Sequence, residues 1–264
     1  FAFAVALAVE FVGRFAIAAI TGAFVFVFLF VAALAFRWFE FRIEDARVLS
    51  EAAVALYQAI QPVMPLPPMS GFAIAPDSAV LLHMLLLRER PKTVVETGSG
   101  VSTLIIGYAL KAQGHGRLIS LEADPQEAQR TRGLVSLHGL ADYVTVIEAP
   151  MVDVTVEGAR YRWHDTRALD DVKSIDLVFD DSPPLHFGKG LRRAGMPVMR
   201  GKLGKAGTYL LNSVAGEERR AIADWLRQYP ELEAETVRTR KVNVILRRRQ
   251  HPSVSAGPSR TRDA

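Results

Sequence analysis

The sequence predicts an α/β fold: a doubly wound, mostly parallel sheet with a terminal antiparallel hairpin, preceded by a transmembrane helix. From Lys92 onward, short runs rich in Val, Ile and Leu alternate with helical segments, which is typical of a parallel sheet covered on both faces. The last two strand-like runs lie too close together for a helix to fit between them, so they predict an antiparallel hairpin. Near the N-terminus, an uncharged apolar run is long enough to cross a bilayer.

The apolar run extends from Phe15 to Phe36 and contains 22 residues without a charge. As a helix it is about 33 Å long, which matches the hydrocarbon thickness of a bilayer. A signal peptide is the alternative, but its apolar core is about 7–15 residues, and no small-residue cleavage site follows Phe36. We therefore predict a membrane anchor over residues 1–37, with residues 15–36 as the span.

The residues on either side of this span indicate how many times the chain crosses the membrane and on which side the large domain lies. Residues 1–12 are apolar too, so a second span joined by a turn near Gly13 and Arg14 stays open. Three arginines follow the main span, at positions 37, 42 and 47, against Arg14 alone before it. By the positive-inside rule, this predicts a single-pass or two-pass membrane protein whose large domain faces the cytoplasm.

Residues 38–75 predict an amphipathic helix followed by a stiff linker. Apolar residues recur with helical spacing from Ile43 to Ile60. Four prolines then fall within the seven residues from Pro62 to Pro68, and each fixes φ and restrains the residue before it. This segment therefore connects the anchor to a globular domain predicted over residues 76–249.

Composition excludes several classes of function. The chain has no cysteine, which excludes disulfides, thiolate metal sites and a cysteine nucleophile. Its net charge is +4, and residues 250–264 are rich in Pro, Ser and Arg, which predicts a disordered basic tail. Since no aromatic platform accompanies the basic residues, no nucleic-acid partner is expected.

Within the globular domain, capping residues and prolines predict where the helices begin and end. Pro76 and Pro91 bound the first helix. For the helix after the second strand, Asp124 is the predicted N-cap, with Glu127 at the capping-box position and Gly139 at the C-terminus. The predicted strands of the sheet are KTVVET, RLISLE, YVTVIE, SIDLVFDD and AGTYLLNS, followed by the hairpin LEAETVRT and KVNVILRR.

A short insertion, VTVEGARYRWH, follows the third of these strands. It predicts a small hairpin that turns at Glu157 and Gly158. Tyr161 and Trp163 could form a wall of an acceptor pocket, although aromatic residues in a short hairpin are also explained by simple packing.

The loop after the first strand reads ETGSGVST. In open parallel sheets, ligands bind at the carboxyl ends of the strands where strand order reverses. Gly98 and Gly100 lack a Cβ, so the backbone can turn sharply and approach a ligand. Glu122 ends the second strand, where a carboxylate can accept both hydroxyls of a ribose. This spacing predicts an adenosine-type ligand.

Two cofactor classes use this geometry. A dinucleotide places its pyrophosphate over a G-x-G-x-x-G loop, but here Thr103 replaces the third glycine. Glu96, just before the glycines, would repel a pyrophosphate and attract an ammonium group. S-adenosylmethionine carries such an ammonium and is the predicted cofactor, with an NAD(P)-dependent oxidoreductase as the alternative.

Six segments in order, VVETGSGVSTL, LISLEADP, VTVIEAP, YRWHDTRAL, IDLVFDDSPP and TYLLNSVAGEERRAIADWL, resemble the class I S-adenosylmethionine-dependent methyltransferases. The similarity is to the small-molecule type with an E-x-G-S-G-x-S-T first motif, and it extends from Pro76 to Arg248. It implies a seven-stranded Rossmann-like methyltransferase sheet with a terminal antiparallel hairpin, and S-adenosyl-L-methionine as cofactor.

The resemblance also implies roles for individual residues. It places Glu96, Gly98 and Gly100 around the methionine moiety, with Ser99 and Ser102 as backbone or hydroxyl contacts. It further places Glu122 on the ribose, Ala123 beside the adenine, Glu148 near the adenine amine and Asp180 beside the reactive methyl.

Methyl transfer to a hydroxyl needs alignment and a base. Asp180 and Asp181 end a strand, and two adjacent carboxylates in a dry cleft raise one another's proton affinity. The alternative is that Asp181 caps the following loop and only Asp180 faces the cofactor. His186 and His164 are further candidate bases, although each is also explained as a surface or structural histidine.

Asn212 and Ser213 end the fifth strand, where related sequences often show acids, so the carboxylate count is low for a hard cation and no metal site is predicted. The predicted function is methyl transfer to a hydroxyl or similar nucleophile of a small or lipid-linked acceptor at the cytoplasmic membrane face. A catalytically inactive membrane-anchored scaffold that binds the cofactor stays open as another alternative.

Overall fold

The computed structural model of the chain describes residues 2–181, 188 and 190–249. Its contacts divide the chain into two compact units, Phe1–Glu51 and Ala52–Ala264.

The first unit belongs to a single long helix, α1, Ala2–Ile60. The helix continues through Gly13 and Arg14, so the turn required for a helical hairpin is not formed there. It also continues past residue 37, so the helix predicted from Ile43 is the C-terminal part of α1. From Glu10 onward the helix is long and apolar enough to cross a membrane by length and composition, a test that a signal sequence also passes. From Phe11 to Ile43 its large apolar side chains are exposed, as at Phe24, whereas Leu56 and Ile60 are buried.

The second unit contains an α/β domain with a seven-stranded sheet. Its strands run in the order β3-β2-β1-β6-β7-β9-β8. The first five are mutually parallel, and β9 pairs antiparallel with both β7 and β8. This confirms the predicted mostly parallel sheet and its terminal antiparallel hairpin.

The elements follow one another as the alternating pattern predicts. The helices are α2 Pro76–Glu89, α3 Val101–Gln113, α4 Pro125–Leu137, α5 Gly195–Arg200 and α6 Gly216–Gln228. The strands of the main sheet are β1 Thr93–Thr97, β2 Arg117–Glu122, β3 Val144–Glu148, β6 Ile175–Asp180, β7 Leu203–Leu211, β8 Leu232–Val237 and β9 Asn243–Arg248. The insertion forms a separate two-stranded sheet, β4 Met151–Val156 and β5 Ala159–His164.

Both faces of the sheet are covered because successive strand residues point to opposite sides. In β1, Val94 packs into the layer formed with α2 and α3, whereas Val95 packs into the layer that contains Met196, Ile222 and Trp225. Both valines are fully buried. The strand sequences therefore read as continuous apolar runs, as they do in doubly wound sheets.

The end signals of α4 are confirmed with one correction. Asp124 accepts hydrogen bonds from the backbone N–H groups of Gln126 (2.8 Å) and Glu127 (3.4 Å), and Gly139 ends the helix with φ of +62°. The predicted capping box with Glu127 is not formed, because the backbone N–H of Asp124 donates to Glu122 Oε1 at 3.0 Å instead. The cap of α4 is thereby coupled to the end of β2.

Strand order reverses at β1, which lies between β2 and β6. Thr97, the last residue of β1, is in register with Leu121 of β2 and with Asp180 of β6. The carboxyl ends of three strands therefore meet at one edge, which is where ligands bind in sheets of this kind.

Candidate functional site

A cleft of about 580 Å³ opens at the carboxyl ends of β1, β2 and β6. One side is formed by the β1–α3 loop, the end of β2 and the first turns of α4. The other side is formed by the segment between α1 and α2, residues 62–75, which we name the strap. Its contribution is largely apolar: Pro67, Pro68, Phe72, Ala73 and Ile74.

The strap is held in place by side chains of the α/β domain. The backbone N–H of Val63 donates to the hydroxyl of Tyr108 at 3.0 Å. Lys241 Nζ, from the β8–β9 turn, donates to the carbonyls of Gly71 and Ala73 at 2.8 and 2.6 Å. The Pro-rich segment predicted as a linker is thus also a wall of the site.

The glycine loop lines the cleft with its backbone. Gly98 and Gly100 have φ values of +82° and +153°, which L side chains rarely adopt. A Cβ added to Gly100 would meet no atom within 4 Å, so the backbone faces open space at that point. Gly98, Ser99, Gly100 and Ser102 therefore share one surface of the cleft, and their contacts with a cofactor stay a prediction.

Glu122 is the carboxylate of this surface. It is 6% exposed, and its Oε2 accepts hydrogen bonds from the backbone N–H of Ser99 at 2.6 Å and from the hydroxyl of Ser99 at 2.9 Å. Its Oε1 accepts only from the backbone of Asp124 among the described contacts. Because a carboxylate has about four lone-pair positions, Oε1 can still accept from a ligand hydroxyl.

Glu96 lies behind the loop and is not among the residues that line the cleft, so its contact with the methionine moiety stays a prediction. It is fully buried, and its Oε2 accepts from Thr103 Oγ1 at 2.6 Å and Ser120 Oγ at 2.7 Å. Burial raises the pKa of Glu96 to about 7. Thr103 Oγ1 also accepts a hydrogen bond from the backbone N–H of Gly100 at 2.9 Å. Thr103, which occupies the position of the third glycine of a dinucleotide motif, therefore connects the glycine loop to Glu96.

The two aspartates at the end of β6, both predicted as candidate bases, differ in orientation. Asp180 is fully buried, accepts from Thr97 Oγ1 at 3.0 Å and from the Tyr209 hydroxyl, and lies outside the cleft. Asp181 lines the cleft and accepts from Asn212 Nδ2 at 2.7 Å. Asp180 is the last strand residue, so its side chain points into the layer that holds Tyr209, whereas Asp181 has already left the strand.

Burial raises the pKa of Asp181 to about 6. The guanidinium of Arg192 and the Asn212 hydrogen bond lower it, but less than burial raises it. Asp181 is therefore a stronger base than an ordinary carboxylate and is still mostly ionised at neutral pH.

Arg192 is a site residue that sequence reasoning missed. Its Nη2 donates to the carbonyl oxygens of Asp180 at 2.8 Å and Asn212 at 2.6 Å, and its Nε lies 3.8 Å from Asp180 Oδ1. The guanidinium thus joins the carboxyl ends of β6 and β7. In the sequence Arg192 is one of two adjacent arginines, and nothing in the sequence distinguishes it from its neighbour. Only the structure shows that its side chain is 11% exposed.

Other candidates lie elsewhere. Glu148 pairs with Arg132 at 2.8 Å on the surface, and Ala123 is buried. Neither lines the cleft, and their contacts with an adenine stay predictions. Trp163 and His164 are fully buried, and burial lowers the pKa of His164 to about 4. Both side chains are therefore part of the packed interior of the domain, as the structural alternative for each residue predicted. His186 lies outside the described residues.

The charges of the cleft are predominantly negative. Among the described residues, four carboxylates line it, at Glu122, Asp124, Glu127 and Asp181, against one cation, Arg130. In the part of the chain that the structure describes, no group of three or more His, Asp and Glu side chains could hold a metal ion. The arrangement suits a cationic organic ligand with a hydroxyl-bearing part near Glu122.

Comparison with known proteins agrees with this geometry. Residues 95–191, from β1 through β6 to the residues that follow it, match the family model described as a methyltransferase domain. The matched segment, which contains the glycine loop, Glu122 and Asp181, is therefore similar to a methyltransferase domain. S-adenosylmethionine is the cofactor of this family, as the sequence analysis predicted. A search of curated proteins gives no match.

Solved structures of methyltransferases share the fold of the α/β domain. The O-methyltransferase TomG from Streptomyces achromogenes, in complex with SAM, is 16% identical, with a TM-score of 0.51 over 76% of this chain and 88% of TomG. An SAH-bound methyltransferase from Podospora anserina is 16% identical, with a TM-score of 0.51 over 75% of this chain and 88% of its own. An O-methyltransferase from Bacillus cereus in complex with SAH is 16% identical, with a TM-score of 0.50 over 76% and 90%. At these identities the likeness concerns the fold.

Proposed function

We propose that this protein transfers a methyl group from S-adenosylmethionine to a hydroxyl or similar nucleophile of a small or lipid-linked acceptor. The observation that carries the proposal is the acid-rich cleft beside the glycine loop, where the described lining contains four carboxylates and one arginine. S-adenosylmethionine is cationic at both its sulfonium and its ammonium, and negative surroundings stabilise it. A dinucleotide would bring the negative pyrophosphate into the same field, which is unfavourable.

The loop and the end of β2 fit the nucleoside part of the cofactor. Among the described contacts, Glu122 Oε1 accepts one hydrogen bond, from the backbone of Asp124, and its second lone pair accepts from a ribose hydroxyl. Gly98 and Gly100 allow the backbone to approach the ligand, with Ser99 holding Glu122 in place. Ser102, also in the cleft, offers a hydroxyl. When bound, the cofactor supplies an electrophilic methyl group.

Asp181 is the proposed general base. It lines the same cleft as the loop, and its pKa of about 6 makes it competent to take the proton from an acceptor hydroxyl near neutral pH. Asn212 orients its carboxylate through the 2.7 Å hydrogen bond. Asp180, which the sequence analysis also proposed for this role, serves instead to anchor β6 to Tyr209 and Thr97.

The membrane location is part of the proposal and rests on helix α1 and its flanking arginines. Helix α1 is long and apolar enough to cross a membrane, and Arg37, Arg42 and Arg47 after the span support a cytoplasmic domain by the positive-inside rule. The apolar strap residues provide a surface for an apolar part of the acceptor. Alkaline extraction of cell membranes tests the anchor, since a spanning protein stays in the membrane pellet and a peripheral one is released.

The cofactor is tested by calorimetric titration of the full chain, in detergent, with S-adenosylmethionine, S-adenosylhomocysteine and NADH. We expect binding of the first two and none of NADH. Tight binding of NADH alone would instead support the oxidoreductase alternative. Binding of S-adenosylmethionine without its turnover in either membrane or soluble extracts would support the scaffold alternative.

A further inference from the structure

The strap presents Phe72 to the cofactor cleft on a tight turn of four residues, Ser70 to Ala73, which we name the Phe72 turn. The backbone N–H of Ala73 donates to the carbonyl of Ser70 at 3.2 Å, and Gly71 has φ of +65°. Phe72 lines the cleft although the residue is 87% exposed. An aromatic side chain in this position is available to an apolar group of a bound molecule.

One ammonium group holds this turn on both sides of Phe72. Lys241 Nζ donates to the carbonyl of Gly71, which precedes Phe72, at 2.8 Å, and to the carbonyl of Ala73, which follows it, at 2.6 Å. The strap has little backbone support of its own, because four of its residues are prolines without an N–H. Residues 62–75, which the structure describes throughout, form neither helix nor strand. The position of Phe72 therefore depends largely on Lys241.

Lys241 is itself held in place by its neighbours in the β8–β9 turn. Its carbonyl accepts from Nδ2 of the buried Asn243 at 2.9 Å, and the same Nδ2 donates to Ser78 Oγ of α2 at 2.9 Å. The backbone N–H of Val214 donates to the carbonyl of Val242 at 2.8 Å. The β8–β9 turn is thus connected both to α2 and to the segment that follows β7.

The charge of Lys241 also acts on Asp181. Burial raises the pKa of Asp181 to about 6, while the cations of Arg192 and, to a smaller extent, Lys241 lower it. The negative neighbours are Asp180, which raises the pKa of Asp181, and Glu96, whose own pKa Asp181 raises. In the described part of the chain, Lys241 is the one of these charged groups that also contacts the strap.

We propose that Lys241 is a positioning residue for methyl transfer, which holds Phe72 against the apolar part of the acceptor and stabilises the ionised carboxylate of Asp181. One cation thereby connects the wall that receives the acceptor with the base that takes its proton. The roles of the acceptor and of Asp181 rest on the proposed function, whereas the hold on the Phe72 turn does not. An arginine at position 241 can keep both the charge and the hydrogen bonds, whereas a methionine can keep neither.

The hold on the turn is tested by limited proteolysis of the full chain in neutral detergent. Chymotrypsin cleaves after Phe72 when the turn opens, and the masses of the two fragments identify this cleavage. We expect cleavage to become about tenfold faster in Lys241→Met and to stay within about twofold of the wild type in Lys241→Arg and in the control Lys173→Met. Lys173 is an exposed lysine outside the strap and the cleft. Equal cleavage rates in the wild type and Lys241→Met would overturn the proposal, and thermal unfolding of each variant checks that the fold is retained.

The action on the base is tested by the pH profile of turnover, measured as release of S-adenosylhomocysteine in the presence of cell extract. The wild-type rate should rise through about pH 6. In Lys241→Met the midpoint should move to higher pH, because a carboxylate that loses a nearby cation binds its proton more tightly. Lys241→Arg should restore the midpoint. A purely structural role would lower the rate equally at every pH, so an unchanged midpoint in Lys241→Met would overturn the proposal.

Phe72→Ala separates the acceptor wall from the base. This variant should raise the amount of extract required for half-maximal turnover about threefold or more and leave the pH midpoint unchanged. An unchanged requirement for extract would overturn the acceptor contact of Phe72. Absence of wild-type turnover with both membrane and soluble extracts would contradict the proposed function itself, and the cleavage rates would then still decide whether Lys241 holds the turn.

Discussion

Ser99 donates two hydrogen bonds to a single oxygen of Glu122, from its backbone N–H at 2.6 Å and from its hydroxyl at 2.9 Å. This contact joins the glycine loop to the end of β2 and fixes the carboxylate at the surface of the cleft. The loop and the acid therefore behave as one preformed binding element. The ribose assignment of Glu122 depends on that element.

Replacing Glu122 by Ala should weaken binding of S-adenosylmethionine and S-adenosylhomocysteine at least about tenfold, because the ligand hydroxyl loses its acceptor and two backbone donors lose theirs. The matched control is Glu127→Gln, which removes a charge from the exposed part of the same cleft. The control should keep its affinity within about threefold. Equal affinities of wild type and Glu122→Ala, measured by calorimetry, would remove the ribose assignment.

Replacing Asp181 by Asn should lower the turnover of S-adenosylmethionine by about 10²–10⁴-fold, as expected for loss of a general base. Affinity for S-adenosylhomocysteine should be retained, since the assignment gives Asp181 no contact with the nucleoside. Turnover is measured as release of S-adenosylhomocysteine in the presence of cell extract, and Asp153→Asn, outside the cleft, is the control. A variant that keeps more than half of the wild-type rate would exclude the base role.

The pH dependence of turnover should report the same group. Only ionised Asp181 accepts a proton, and its pKa is about 6, so the rate should rise as pH increases through about 6 and then level off. The pH profile of kcat/KM for the wild type measures this directly. A rate that is flat between about pH 5 and 7 would contradict the assignment.

Glu96 should make stability depend on pH. Its pKa is about 7 in the folded protein against 4.5 for the ordinary group, so the folded state holds the proton more tightly than the unfolded state does. Folding stability should therefore be lost as pH rises from about 4.5 through about 7, by about 3 kcal/mol from this group. Glu96→Gln should unfold like the wild type near pH 4 and be the more stable of the two near pH 8. Urea unfolding at both pH values is the measurement, and identical pH dependence in both proteins would disprove the buried-acid interpretation.

Arg192→Ala should destabilise the domain by about 3–5 kcal/mol, because it leaves the buried Asp180 carboxylate without its nearby cation and two carbonyls without a donor. Arg192→Lys should be intermediate, since an ammonium keeps the charge but lacks the planar fork that bridges β6 and β7. Arg193→Ala breaks an exposed ion pair with Asp224 and should cost less than about 1 kcal/mol. Thermal unfolding compares the three variants, and similar losses for Arg192→Ala and Arg193→Ala would contradict the bridging role.

Much of the fold could be predicted because its signals are local. The period of the apolar residues distinguished strands from helices, and the cap at Asp124 and the turn at Gly139 marked the ends of α4. The terminal hairpin followed from the short spacing of its strands. By contrast, the continuity of α1 through Gly13 could not be predicted, because a glycine in a long apolar helix lowers propensity without ending it.

The sequence by itself determined that acids stand at the carboxyl ends of neighbouring parallel strands, beside a glycine loop, and that topology brings such ends together. It did not determine which acids face the ligand. Only the tertiary structure decided that Glu122 and Asp181 line the cleft while Glu96 and Asp180 are buried behind it. The physical reason is that orientation at a strand end depends on register and on partners distant in sequence. Tyr209 holds Asp180 inside, and Thr103 and Ser120 hold Glu96 there.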